Sequence, residues 1–127
     1  MGTSVTRYVM VAVDISDWYK EKRAQAKESD EGWDESPAAD MFYDYYDDGY
    51  NPVPKDGIVI VHDAMCGKYR FMGYVLYKGV GRKGIEIPAF ALEDLDTQEL
   101  KDRVKCEVRD ILGFEGEAKT YVFSHFH

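Results

Sequence analysis

The stretch TRYVMVAVDI, residues 6–15, decides the fold. Its side chains alternate between two sides of an extended backbone, Tyr8, Met10 and Ala12 on one and Val9, Val11, Val13 and Ile15 on the other. A strand with one solvated face would carry polar residues at every second position. Here both sides are apolar and one is almost wholly β-branched, so the segment reads as a central strand covered on both faces.

Working outward from it, Ser16 stands where a helix N-cap belongs, with Asp17 and Glu21 near the positive end and Lys27 near the negative end of a helix over 17–28. Its apolar face is thin, Trp18, Tyr19 and Ala26, and lies beside a dense basic cluster of Lys20, Lys22, Arg23 and Lys27. Further on, IVIV at 58–61 and YRFMGYVLYK at 69–78 read as two strands. The turn over 62–68, containing Cys66-Gly67, makes them antiparallel. Gly79, Gly81 and Gly84 frame a second turn, and the strand expected over 85–92 belongs at an edge because Pro88 cannot donate to a ladder. Asp96 with Glu99 forms a capping box for a helix over 96–112, whose stripe of Leu100, Val104, Val108 and Ile111 seeks a core and which Gly113 closes. Residues 118–127 form a last strand with Tyr121, Phe123, His125 and His127 on one side.

This order of elements resembles the split βαβ pattern of ferredoxin-like folds. The expected architecture is a single α+β domain over residues 1–127: a mixed or antiparallel sheet of four to five strands, two main helices on one face, and an acidic helical insert within 28–55. Folds of this kind host many unrelated functions, so function has to be argued from a site.

Composition narrows the classes. At 127 residues the chain suits one core. It shows no apolar run near the roughly 18 residues of a membrane span and no signal-peptide pattern, which points to a cytoplasmic protein. Cys66 and Cys106 fall in different elements without a CxxC spacing, so both are expected as reduced thiols. A pI near 4.8 argues against direct nucleic-acid or anionic-membrane binding, since phosphate contacts need Lys and Arg.

The acidity has an address. Residues 28–50, ESDEGWDESPAADMFYDYYDDGY, hold nine carboxylates, six aromatics and no base, and the other 15 acids nearly balance the 16 bases of the chain. The net charge of −8 therefore belongs to this segment. Ser36-Pro37 is an N-cap and first-turn signature and Gly49 a stop, predicting a helix from Pro37 to about residue 48 with Asp40, Asp44 and Asp47 on one face. Like charges one turn apart cost a helix some stability, so an irregular loop is the competing reading.

The functional expectation follows from that segment: a non-enzymatic protein–protein interaction module. Carboxylates a helical turn apart suit the Arg and Lys positions that a nucleic-acid backbone would occupy, while aromatic side chains supply rigid apolar area. The expected contact residues are Asp34, Glu35, Asp40, Asp44, Asp47 and Asp48, with Trp33, Tyr43, Tyr45 and Tyr46 as anchors. The expected partner is a basic protein surface such as that of a nucleic-acid-binding enzyme, and the protein would act as an inhibitor by nucleic-acid mimicry, the kind that phages and mobile elements encode. Two plainer readings stand beside it, a solvated insert and an acidic segment folded back on Lys20, Lys22, Arg23 and Lys27.

Other constellations are weaker. A calcium loop starting at Asp30 fails, because Gly32 would occupy its third position and Glu35 the position that needs glycine. His62 and Asp63, with His125, offer polar groups for a small-ligand pocket or a metal-dependent enzyme, although a terminal His125 and His127 read first as solvent-exposed side chains on a frayed end. The run Gly79 to Gly84 lacks the spacing of a phosphate-binding loop and reads as a hairpin tip. Tyr69, Phe71, Tyr74 and Tyr77 read as packing rather than as a base-stacking platform. Neither cofactor nor metal is expected, and a homodimer through the edge strand around Pro88 is a further expectation.

Overall fold

The computed structural model describes residues 5–29, 32–47, 49, 57–63, 67–80 and 98–126. In chain order the elements are β1 (Val5–Asp14), α1 (Ser16–Glu28), α2 (Pro37–Tyr45), β2 (Val59–His62), β3 (Arg70–Val80), α3 (Gln98–Leu112) and β4 (Ala118–Phe126). They form a single small α+β domain with one four-stranded sheet in the order β2-β3-β1-β4, every neighbouring pair antiparallel. The doubly apolar stretch is where its pattern places it: β1 lies between β3 and β4, and every residue from Tyr8 to Val13 is buried.

The alternation along β1 divides the core in two. Val11, Val13 and Ile15 pack with Trp18 and Tyr19 of α1, Phe42 of α2, Ile60, Met72, and Val104 and Val108 of α3. All three helices thus lie over this one face. Tyr8, Met10 and Ala12 join Val59, Val61 and Phe71 in a second cluster, with Tyr69, Tyr121 and Phe123 packed around it. The aromatic strand residues stack across the ladder there, Phe71 on Tyr121 at 4.1 Å between ring centres and Tyr8 on Phe123 at 5.3 Å. These rings are packing groups, as their alternation indicates.

Two backbone features set the register. Gly73 sits in mid-strand opposite Ala12, and a Cβ there would lie 2.0 Å from the Val11 carbonyl oxygen, so the close approach of β3 to β1 admits only glycine. Four residues on, the register shifts: Val9 pairs with Tyr77 and Met10 with Val75, leaving Leu76 as a bulge. The bulge inverts the alternation, so that Val75 and Lys78 both project toward the second cluster, opposite Met10 and Tyr8.

Local differences from the sequence expectations have local causes. The Ser16 hydroxyl does not cap α1, of which Ser16 is the first residue; Asp14 Oδ1, two residues before it, accepts from the Ser16 amide at 2.9 Å instead. Helix α2 begins as its signature says, with Ser36 Oγ accepting from the Ala39 amide at 3.2 Å, but ends at Tyr45. Tyr46 is extended and forms a parallel bridge with Ile60, so the chain is pulled onto the edge of β2 before a third turn can form. Cys106 is an exposed free thiol. Cys66, Asp48, the glycine turn beyond Val80, the strand expected over 85–92 with Pro88 and the dimer contact expected on it, the capping residue Asp96, and His127 lie outside the described residues. Among the described residues, no helix is long and apolar enough to cross a membrane.

Candidate functional site

The acidic segment divides into an outward and an inward part. Asp34 and Glu35 in the turn before α2, and Asp40 and Asp44 on α2, are exposed, as is Tyr43 with 53% of its surface accessible. Among the described residues none of these four carboxylates has an ion-pair partner. The other expected anchors turn toward the protein. Trp33, Tyr45 and Tyr46 are half-buried against the helix-side core, Trp33 meeting Tyr19 edge-on at 5.2 Å and Tyr46 lying 6.2 Å from Phe42.

Asp47 is a correction to the expected stripe. Since α2 ends at Tyr45, Asp47 does not continue the helical spacing of Asp40 and Asp44; it is 1% exposed. Its amide donates to the Ile60 carbonyl at 2.9 Å, and its two carboxylate oxygens each accept from Lys78 Nζ at 2.9 Å. Tyr8 donates to Oδ2 at 3.1 Å and the Gly49 amide to Oδ1 at 3.2 Å, while Thr6 Oγ1 donates to the Gly49 carbonyl at 2.8 Å. A buried carboxylate is tolerable only when its lone pairs are matched in this way. The network ties the end of the acidic segment to β1 and β3. It was hidden from sequence reasoning because the bulge at Leu76, which aims Lys78 inward, leaves no signal in the strand pattern.

A second site lies across α1. The basic cluster does not meet the carboxylates of the acidic segment: among the described residues no ion pair joins them, and Arg23 instead sits 5.6 Å from the Trp33 ring. Tyr19, Lys20, Arg23, Lys27, His62, Asp63 and Arg70 line a cleft of about 520 Å³ at the meeting of α1 with the β2–β3 turn. Arg70 is 8% exposed, with its guanidinium 4.2 Å from the Tyr19 ring centre; one nitrogen donates to the Gly67 carbonyl at 3.2 Å, and Nε has no hydrogen-bond partner among the described residues. His62 lies against Tyr19 and Phe42 at 5.2 and 5.4 Å, and its Nδ1 is buried with no hydrogen-bond partner among the described residues. Burial, then the Arg70 charge, push the His62 pKa down from 6.5 to about 4; Asp63 opposes the shift, and His125 and Arg23 add to it. The imidazole is neutral at pH 7. Asp63 shapes the turn: its carbonyl accepts from the Gly67 amide at 2.9 Å and its carboxylate from the Lys68 amide at 3.0 Å. Arg70 was missed because, inside the run YRFMGYVLYK, a lone arginine reads as a solvent-facing strand residue.

His125 does not join His62 and Asp63. It is on the other face of the sheet, 1% exposed, its Nδ1 2.7 Å from the Tyr69 hydroxyl and its ring beside Tyr8. The expectation of a frayed, solvated histidine at this position is therefore corrected: β4 pairs with β1 through Phe126, and the pairing carries His125 into the second cluster. Among the described residues no three His, Cys, Asp or Glu side chains gather as a metal-binding group. No protein-family model, curated protein or solved structure matches the chain, so its chemistry is read from its own side chains.

Proposed function

We propose that this protein is a non-enzymatic binding protein that offers the outer face of α2 and the turn before it to a basic groove on another protein, acting as an inhibitor of a nucleic-acid-binding enzyme. One observation carries the reading: Asp34, Glu35, Asp40 and Asp44 are exposed together with Tyr43, and no cation among the described residues neutralises them. Asp40 and Asp44 repel one another across a single helical turn, a cost that Arg or Lys from a partner would remove. Asp47 serves the interior in this reading, and Trp33, Tyr45 and Tyr46 stiffen the platform from beneath while Tyr43 supplies the accessible ring. The strand order, with α1 and α2 between β1 and β2 and α3 between β3 and β4, supports a ferredoxin-like scaffold carrying residues 28–55 as an insert. The test is recovery of a basic partner from cell extract, at low and high salt, by wild type and by a variant carrying Asp34→Asn, Glu35→Gln, Asp40→Asn and Asp44→Asn. Recovery falling in the variant and at high salt, with release of labelled duplex DNA from the captured partner by wild type alone, supports the reading. Equal recovery by both proteins ends it.

A further inference from the structure

The geometry points to an anion site in the cleft between α1 and the β2–β3 turn, built to take a phosphate group, either free or as the terminal group of a small phosphomonoester. The site is independent of the acidic face of α2 and uses none of its residues.

The first support is Arg70. Its guanidinium is withdrawn from water, and among the described residues no carboxylate pairs with it and no acceptor matches its Nε donor. A buried charge without a counter-charge is costly, and the Tyr19 ring face offsets only part of that cost. The arrangement is poised for an anion. The second support is α1, where Lys20, Arg23 and Lys27 recur at intervals of three and four residues and so stack along one side of the helix, the side lining the cleft. Four cations thus converge on a cavity of about 520 Å³ whose one acidic lining residue, among the described residues, is Asp63.

The charge balance selects the ligand class. Counted by formal charge, with Lys20, Arg23, Lys27 and Arg70 against Asp63 and with His62 neutral, the lining carries a surplus of three positive charges, which suits the dianion of a phosphate better than a single carboxylate. The aromatic face that a nucleobase would stack on is taken, since Tyr19 lies under Arg70 with Arg23 5.7 Å from its centre. The recognised part is therefore the phosphate and not a ring attached to it.

The experiment is isothermal titration of the full chain at low ionic strength with inorganic phosphate, ribose 5-phosphate and ribose. The variants are Lys20→Gln/Lys27→Gln, both at exposed positions, and Asp40→Asn/Asp44→Asn as a charge-change control. Circular dichroism verifies that each is folded. Saturable binding of phosphate or of ribose 5-phosphate, weakened about tenfold or more by the lysine substitutions and unchanged by the aspartate ones, is expected. Tighter binding of ribose 5-phosphate than of phosphate assigns the site to monoesters, and the reverse order assigns it to the free ion. Absence of saturable binding by either, equal affinity in the lysine variant, or equal binding of uncharged ribose overturns the proposal. Arg70→Gln provides a further reading in folded protein: thermal stabilisation by phosphate should vanish with it.

Discussion

Asp47 and Lys78 are the two residues on which the attachment of the acidic segment turns. Each is the other's charge partner, and both side chains are almost wholly removed from water. Removing one alone, as in Asp47→Ala or Lys78→Ala, strands a buried charge and should cost on the order of 3–5 kcal/mol of stability. Replacing both together, Asp47→Leu with Lys78→Met, should recover much of that loss. Urea unfolding of the singles and the double checks it: additive losses would show that the pair is not coupled. His62 supplies a pH signature. Its folded pKa near 4 lies below the ordinary 6.5, so between those values the unfolded chain binds more protons than the folded one. Stability should fall as pH drops from about 6.5 toward 4. His62→Gln should flatten that part of the profile relative to wild type, as measured by urea midpoints across the window; a profile identical to wild type would contradict the depressed pKa.

At the scale of elements, α2 and β3 show what a sequence can declare. The Ser36-Pro37 start of α2 is legible because capping is local, a hydroxyl and an amide three residues apart. Ser36→Ala should cost about 1 kcal/mol in thermal or chemical unfolding. The four described strands and α3 were equally legible, since their periodicity records which sides are buried: Val104 and Val108 lie at the centre of the stripe and are fully buried. The end of α2 was not legible. It is set by the pairing of Tyr46 with Ile60, a contact with a distant segment that no local signal announces. The same holds for Gly73, which looks like a weak point in a strand and is a requirement of strand spacing. Gly73→Ala should destabilise by roughly 1–3 kcal/mol through overpacking against β1, and a neutral result would mean that the sheet yields at that point.

For the molecule as a whole, the two candidate sites segregate charge by sign. The acidic turn and α2 lie on one side of α1 and the basic cleft on the other, and Arg23 reaches both, lining the cleft while resting near Trp33. A net charge of −8 concentrated in one segment repels itself, and added salt relieves that repulsion. Thermal stability of the wild type should therefore rise with salt between low and physiological ionic strength. The variant neutralised at Asp34, Glu35, Asp40 and Asp44 should respond more weakly. Partner capture through the same face should respond in the opposite direction, so the two readouts separate folding from docking.

Leu76 carries a last consequence. β3 is written in two phases, one before this residue and the opposite one after it, and the leucine is the comma between them. Losing its single codon would close the ladder into regular pairing, with Val75 still opposite Met10, Tyr77 opposite Val9 and Lys78 opposite Tyr8, so the Lys78 ammonium would keep its aim at the Asp47 carboxylate. The exposed leucine is thereby the one residue of β3 that the ladder can spare, an extra letter between two halves that are each in frame with β1.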